Sequence, residues 1–209
     1  MIKKSIVLIL LQLVFFINTT TVFAQEQSLK TLVLLNSSAN ESKMASEYLI
    51  PYLEHFGILY ETKEISELQT IKDLSVYPLI IISHDKISQN NSILDKTIVK
   101  RITKAMKSGS GVVSFDADLF AAKPANGFIT VDTLYFSNTS HYITELHAKT
   151  PKLRLFSEMK LAKSATNLKP LIESNSFPVL SVSEEIGKRL VVWHSNAWMQ
   201  TAVLGPLAD

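Results

Sequence analysis

The chain of 209 residues contains no cysteine. This absence excludes thiol nucleophiles, thiolate metal sites, disulfide bonds and a lipid-modified N-terminal cysteine, because each of them requires a sulfur atom. Glycine and proline are also few, at six and seven residues, and charged residues make up only 19% of the chain. Disordered and collagen-like chains differ from this composition. Hydrophobic residues make up 46% of the sequence, which is enough to fill the core of one globular domain.

Several motifs that bind cofactors or perform catalysis are missing as well. The sequence has no G-x-G-x-x-G loop opening a helix, no Walker loop, no G-x-S-x-G nucleophile turn and no H-E-x-x-H pair. Asp116 and Asp118 are only two carboxylates, and His84 follows a different predicted strand, so they do not meet the standard of three or more converging ligands that a metal site needs. We therefore expect neither a cofactor nor a metal.

Residues 1–24 have the three-part pattern of a secretory signal peptide. Two lysines precede an apolar run from Ser5 to Ile17, and Val22-Phe23-Ala24 places small side chains at the positions that signal peptidase reads. The run is short for a membrane span. We expect cleavage before Gln25, a mature domain over 25–209 and a secreted or periplasmic location; the alternative is an uncleaved N-terminal anchor.

Removal of the leader would also change the charge balance. The whole chain has 21 basic and 19 acidic residues, and loss of Lys3 and Lys4 leaves 19 of each. No basic stripe remains on the mature chain to attract nucleic acid or an anionic membrane. Nucleic acid and, after cleavage, membrane are therefore not expected as partners.

The first half of the mature chain alternates between strand and helix patterns. Predicted strands cover 29–35, 59–65, 78–83 and 111–115, and helical stripes of apolar residues cover 44–56 and 93–106. Strands that are apolar on both faces, joined by helices, are typical of parallel sheets with right-handed crossovers. We expect a three-layer, flavodoxin-like α/β domain. Pro51 lies inside the first helical stripe, so an irregular turn is expected there.

The second half predicts a β-rich C-terminal extension of the same domain. Short strand patterns cover 128–136, 142–147 and 153–161, and 177–182 with 189–193 reads as a hairpin whose turn contains Gly187. If 142–147 is a strand, Glu145 and His147 share a face with His141 because the offsets are even. A cross-strand polar pair is the favoured role for that face.

Five segments together resemble a known family. They are LKTLVLLNSS, the helix end HFG, PLIIIS, GVVSFDAD and the closing FPVLSVSEEIGKRLVVWHS. In pattern and order they are similar to class I glutamine amidotransferase-like domains, especially ThuA-like domains and the trimerisation domains of β-galactosidases. The resemblance implies the flavodoxin-like fold and a connection to sugar metabolism.

The chain departs from that family at the nucleophile. True glutaminases place a cysteine on the turn that corresponds to Ser114–Asp118, and this sequence has none. His194 is the counterpart of the family histidine, but a base without its nucleophile cannot perform thioester chemistry. Glutaminase activity is excluded. His194 and Asp116 remain as candidates for another catalytic role, although we expect no catalysis.

The C-terminal residues carry a second resemblance. Trp193–Met199 followed by VLGPLAD is similar to the junction in secreted proteins where an amidotransferase-like module precedes a polysaccharide deacetylase-type domain. This implies a chain that is truncated at its C-terminus, a downstream catalytic domain as a partner, and a carbohydrate or polysaccharide as the ligand.

Polar residues follow the predicted parallel strands at their carboxyl ends, where ligands bind in such sheets. The predicted ligand-binding residues are Asn36, Ser37, His84, Asp116, Asp118, His194 and Trp198. Trp198 is the expected platform for a sugar ring, since aromatic faces pack against the apolar faces of sugars. The alternative is that the polar residues are ordinary turn and cap residues.

Three functions are compatible with these patterns. The favoured one is an exported carbohydrate-binding or accessory module for polysaccharide processing, without glutaminase activity. The second is a glycan hydrolase or deacetylase that uses the rim formed by the strand ends. The third is a structural or oligomerisation module whose rim is covered by a partner chain.

Overall fold

A computed structural model describes residues 28–39, 41–85, 87, 94–121, 126–137, 141–145, 152–163, 167–183, 185 and 189–195. The predicted signal peptide, the hairpin turn at Gly187 and the platform residue Trp198 lie outside these residues. Within them, each helix is too short or too polar to cross a lipid bilayer.

The described strands form one sheet of nine, in the order β2-β1-β3-β4-β9-β8-β7-β5-β6. The strands are β1 Thr31–Leu35, β2 Tyr60–Glu64, β3 Leu79–Ile82, β4 Gly111–Ser114, β5 Phe128–Phe136, β6 Lys152–Ala162, β7 Lys169–Ser174, β8 Phe177–Val182 and β9 Arg189–Trp193. Strands β2, β1, β3, β4 and β9 pair in parallel, and β9, β8, β7, β5 and β6 pair antiparallel. β9 is therefore the strand at which the two halves join.

The parallel half has apolar residues on both faces, and each face packs against helices. α3 (Leu94–Lys107) packs Ile98 and Ile102 into the cluster that holds Ile80 and Ile82 of β3. The opposite cluster contains Ile81 of β3 together with the first helical segment and much of the antiparallel half. Helix, sheet and helix thus form three layers, which confirms the predicted flavodoxin-like α/β fold with a β-rich extension.

The first helical segment carries the irregularity expected at Pro51. It runs as α1 (Ser42–Met44), a π-helical turn (Ala45–Leu49) and α2 (Ile50–His55). In the π turn the N–H of Ile50 donates to the carbonyl of Ala45, five residues back. The change of hydrogen-bond register places Pro51 in the first turn of α2, where a missing N–H is tolerated.

Two 3₁₀ helices, Ile65–Thr70 and Leu74–Val76, occupy the connection between β2 and β3. They bury Ile65, Leu68 and Leu74 in the cluster under α3. The first begins with a reciprocal capping box between Glu64 and Glu67, which satisfies backbone N–H groups that the helix leaves free. These helices correspond to the crossover that the strand pattern requires between two parallel strands.

The predicted hairpin of β8 and β9 is confirmed by antiparallel pairing of Leu180 with Trp193. A second hairpin, β7 to β8, was not predicted. Its two loop residues, Asn175 and Ser176, have φ angles of 49° and 65°. Two consecutive positive φ values are the signature of a type I′ turn, which Asn favours. The Asn175-Ser176 dipeptide was the sequence signal for this hairpin.

The predicted strand over 142–147 was wrong. Tyr142–Glu145 form a short helix, α4, with Ile143 and Thr144 buried. His141 starts it, because its carbonyl accepts the N–H of Thr144 and its Nδ1 accepts the N–H of Ile143. These local bonds outweigh the alternating pattern. The proposed shared face of His141, Glu145 and His147 is lost with the strand, and His147 lies outside the described residues.

Candidate functional site

The sheet order brings the carboxyl ends of β1, β3, β4 and β9 side by side. Asn36 follows β1, Asp116 lies two residues beyond β4, and His194 follows β9 directly. All three are buried. Residues that are far apart in the sequence thus meet at one rim, as predicted from the strand pattern.

Asp116 and Asn36 hold the loop after β3 from two sides. Asp116 Oδ2 accepts the N–H of Ile87 at 3.1 Å, and Asn36 Nδ2 donates to the carbonyl of Ile87 at 2.6 Å. Asp116 Oδ1 accepts the N–H groups of Asp118 and Leu119 at 3.0 and 3.2 Å. The three loops after β1, β3 and β4 are therefore joined through one buried peptide and one carboxylate.

Burial raises the pKa of Asp116 to about 6. The charge of Asp118 raises the pKa further, whereas the three backbone hydrogen bonds lower it by stabilising the carboxylate. The side chain is therefore mostly ionised at pH 7 and titrates in mildly acidic solution. Its oxygens already accept backbone hydrogen bonds, so the main role of this carboxylate is structural: it holds the loops of the rim together.

His194 forms a buried pair with Ser181 of β8. Its Nε2 lies 2.8 Å from the Oγ of Ser181, and both side chains are at most 3% exposed. Burial lowers the pKa of His194 to about 4, so the imidazole is neutral at pH 7. A hydroxyl beside a neutral imidazole is the arrangement that activates a serine nucleophile. However, Ser181 is fully buried, so a substrate would need another route to reach it.

Ser37 and Ser38 belong to the turn after β1. Ser37 donates from its backbone N–H and its hydroxyl to the carboxylate of Glu64, at the end of β2. The hydroxyl of Ser38 donates to Asn36 Oδ1 at 2.6 Å. Ser37 thus joins this turn to the end of β2, and Ser38 stabilises the turn itself, as the turn-residue alternative expects.

His84 lies after β3 and is fully buried. Its Nδ1 lies 2.8 Å from the carbonyl of Asp85, so Nδ1 carries a proton and donates it to this carbonyl. Its Nε2 has no hydrogen-bond partner within the part of the chain that the structure describes, and neither has the hydroxyl of Ser83. His84 is therefore an interior residue at this rim, and its side chain is not exposed to a ligand.

A cleft of about 40 Å³ opens at the rim. Of the predicted residues, Asp116, Asp118 and His194 line it, together with Asp85, Lys160, Phe128 and Ser195. Asn36, Ser37 and His84 are not part of its lining. The cleft therefore combines carboxylates, one lysine and an aromatic ring that is 55% exposed.

Sequence reasoning missed Lys160 and Phe128, which the antiparallel half supplies. The end of β6 folds back beside His194, because the N–H of Ala162 donates to the carbonyl of His194 at 3.1 Å. The hydroxyl of Ser195 donates to the carbonyl of Lys160 at 2.7 Å, and Phe128 pairs with Ala162 across β5 and β6. Only the strand register brings these residues to the rim, so no local sequence pattern could have predicted their position there.

Among the described residues, no three His, Asp or Glu side chains converge in a way that could hold a metal ion. Trp193, which was favoured as a core residue, is fully buried. The exposed aromatic surface of the cleft comes instead from Phe128, and the buried Phe115 also lines it. The site is thus a small, largely apolar cleft with several charged side chains at its lining.

Comparisons with solved structures support the fold. A ThuA-like protein from Bacteroides uniformis aligns with a TM-score of 0.57 at 13% identity, covering 89% of this chain and 91% of that chain. A ThuA-like protein from Parabacteroides merdae aligns with a TM-score of 0.55 at 12% identity, covering 80% and 79%. A cytoplasmic protein from Salmonella typhimurium aligns with a TM-score of 0.55 at 14% identity, covering 80% and 88%.

No family model and no curated protein sequence matches the chain. The likeness therefore rests on the three-dimensional arrangement, and it shows a ThuA-like fold. At identities of 12 to 14%, the structural similarity shows the fold only. The ligand and the reaction have to be inferred from the residues of the site.

Proposed function

We propose that this chain is an exported, non-catalytic carbohydrate-binding domain that presents the rim cleft to a glycan as an accessory to polysaccharide processing. The observation that carries the proposal is the composition of the cleft, where an exposed aromatic ring lies beside carboxylates and a lysine. Its ThuA-like fold is compatible with a role near sugar chemistry.

The lining residues match the surface of a sugar. The ring of Phe128 can pack against the apolar C–H face of a pyranose, while Asp118 and Asp85 accept hydrogen bonds from adjacent hydroxyl groups. Lys160, which shares a face of the sheet with Phe128, supplies a donor. Aromatic packing with a few fixed polar groups is the usual composition of a specific small-molecule site.

The small size of the cleft limits the mode of binding. A space of about 40 Å³ takes a hydroxyl group or the edge of a ring, and a whole monosaccharide is several times larger. We therefore propose that a terminal sugar binds with one edge in the cleft and its face on Phe128. Trp198, close in sequence to His194, is proposed as a second contact.

Two of the buried polar groups at the rim, Asp116 and His194, have structural partners, which supports binding without catalysis. Asp116 accepts three backbone N–H groups, and His194 is paired with buried Ser181. The chain also has no cysteine to act as the nucleophile of an amidotransferase. The structural contacts of Asp116 and His194 therefore support recognition as the role of this rim.

The test is calorimetric titration with a panel of bacterial and host oligosaccharides, using wild type and single variants. Phe128→Ala and Asp118→Asn should each weaken binding about tenfold or more, and Trp198→Ala should weaken it too. Phe56→Ala is the matched control, because Phe56 is also 55% exposed and lies at the end of α2, outside the cleft.

Saturable binding that Phe128→Ala reduces and Phe56→Ala leaves unchanged would support the proposal. Absence of binding across the panel would contradict it, as would equal affinities for the two variants. A stable oligomer without glycan binding, seen by light scattering, would support the structural alternative instead.

The Ser181–His194 pair favours a second candidate function, a hydrolase or deacetylase acting on glycans. In that case His194 would act as a base for the Ser181 hydroxyl after the rim opens. Release of acetate or reducing sugar from acetylated glycans, lost in both Ser181→Ala and His194→Gln, would support this function. Failure of the wild type to turn over any such substrate would contradict it.

Export is proposed from the leader pattern. Expression in a bacterial host followed by N-terminal sequencing of the periplasmic fraction should give a chain that begins at Gln25. A product that keeps Met1 and stays with the cytoplasmic fraction would contradict the proposal.

A further inference from the structure

A second depression lies at the opposite edge of the sheet from the rim cleft. Leu79, Gly111 and Arg189 are the first residues of β3, β4 and β9, and all three line a groove of about 420 Å³. Arg189 and His194 are five residues apart along the chain, roughly 16 Å in an extended strand. The groove is therefore a separate site, and its size falls in the range of small-molecule pockets, about 300 to 1,000 Å³.

The floor of the groove is apolar. Leu79, Val113 and Val191 lie on one face of adjacent parallel strands, because Leu79 pairs with Gly111 and Val113 pairs with Val191. All three are only partly buried, unlike Ile80 and Val192 on the other face, which α3 covers. Aliphatic side chains left partly open to solvent suit the flat apolar body of a ligand.

Gly111 gives the groove its depth. A Cβ built at this position would face Leu79 Cδ1 at 3.4 Å and the carbonyl oxygen of Pro78 at 3.7 Å, which are ordinary contact distances. A methyl group therefore fits there without strain, and a larger side chain would project over the floor. The missing side chain is what leaves room between Leu79 and Arg189.

The polar wall of the groove has positive character. Arg189, His141 and Tyr142 all line it, and the rings of His141 and Tyr142 have centroids 4.5 Å apart. His141 Nδ1 accepts the N–H of Ile143, so the neutral ring carries its proton on Nε2 and is a donor there. Among the described residues that line the groove there is no carboxylate. The Nη1 of Arg189 donates to the carbonyl of Gly109 at 3.5 Å, and the remaining donors of its guanidinium are suited to an anion.

We propose that this groove binds a small organic anion with a flat apolar body, such as an aromatic carboxylate. The apolar body lies on Leu79, Val113 and Val191 beside the ring of Tyr142, which is 69% exposed. The negative group pairs with the guanidinium of Arg189, whose planar donors match a carboxylate in a bidentate arrangement. The proposal is independent of glycan binding at the other edge.

The test uses 2-naphthoate as the probe and 2-naphthamide as its neutral match, titrated into the full chain and followed by NMR chemical shifts of the protein. Wild type should bind the acid about tenfold more tightly than the amide, because only the acid forms a charge-assisted pair. Arg189→Gln should remove this preference, and Gly111→Val should weaken the binding of both probes. Arg154→Gln, an exposed arginine on β6 away from the groove, is the charge-matched control.

Shifted resonances should include those of Val113, Val191 and Tyr142, which locates the probe. Thermal unfolding of each variant verifies that it is folded, and Gly111→Ala replaces Gly111→Val if the larger side chain prevents folding. The proposal is overturned if the wild type binds neither probe, if it binds both equally, or if Arg189→Gln and Arg154→Gln behave alike.

Discussion

The imidazole Nε2 of His194 and the hydroxyl oxygen of Ser181 lie 2.8 Å apart in the interior of the protein. His194 follows the last parallel strand, and Ser181 lies on the antiparallel strand β8 beside it. The pair therefore joins the two halves of the sheet at the strand they share. Each group satisfies the other, which matters because an unsatisfied polar group in the interior is costly.

Ser181→Ala should destabilise the fold by about 1 to 3 kcal/mol, because it leaves a buried imidazole nitrogen without its partner. Urea unfolding followed by circular dichroism gives the free energy. Ser183→Ala is the control, since Ser183 lies just beyond β8 and is only partly buried. Equal losses in the two variants would show that the Ser181–His194 bond contributes little.

Asp116→Asn should also destabilise the protein by about 1 to 3 kcal/mol. An amide has one acceptor oxygen, so it cannot accept from Ile87 on one side and from Asp118 and Leu119 on the other. Asp132→Asn on the exposed side of β5 is the matched control and should change stability by less than about 0.5 kcal/mol. A stable Asp116→Asn variant would mean that the three loops do not depend on this carboxylate.

The pH dependence of stability should contain two opposing contributions from the rim. Burial raises the pKa of Asp116 from 3.8 to about 6, so its contribution is present below pH 4 and is lost as pH rises to 6. Burial lowers the pKa of His194 from 6.5 to about 4, so its contribution is present above pH 6.5 and is lost as pH falls to 4. Each of these pKa differences corresponds to roughly 3 kcal/mol in the free energy of unfolding.

Single variants separate the two contributions. Relative to wild type, His194→Gln should gain stability as pH falls from 7 to 4, whereas Asp116→Asn should lose stability over the same range. Urea unfolding at pH 7, 5.5 and 4 measures both trends. Parallel pH profiles for the two variants would contradict the burial of these groups in the folded state.

Ser176→Gly should stabilise the β7–β8 hairpin by about 0.5 to 1 kcal/mol. Ser176 has a φ of 65°, a region that costs a residue with a Cβ more than it costs glycine. The change creates an Asn-Gly pair, the preferred type I′ turn. Thermal unfolding measures the effect, and Ser174→Gly is the control, which should destabilise because Ser174 lies within β7. A lower melting temperature for Ser176→Gly would mean that the turn has another geometry.

The location of the site could be predicted from the sequence, whereas the hydrogen bonds within the site could not. The strand ends after β1, β4 and β9 are apparent from apolar runs followed by polar residues, and the structure brings Asn36, Asp116 and His194 together there. The partners of these residues, Ile87 and Ser181, give no such signal. They are chosen by loop geometry and by strand register, which depend on contacts between distant segments.

The sequence by itself determined the parallel half of the fold. Runs such as Leu79–Ile82 are apolar at every position, so each can be stable only when helices cover both of its faces, and α3 shows its own apolar stripe. Tertiary structure decided the order and pairing of the antiparallel strands outside the predicted β8–β9 hairpin, the helix at Tyr142–Glu145, and the arrival of Lys160 and Phe128 at the rim. Periodicity along a chain reports which face a residue buries, but the choice of neighbouring strand and its register is a property of the whole packed sheet.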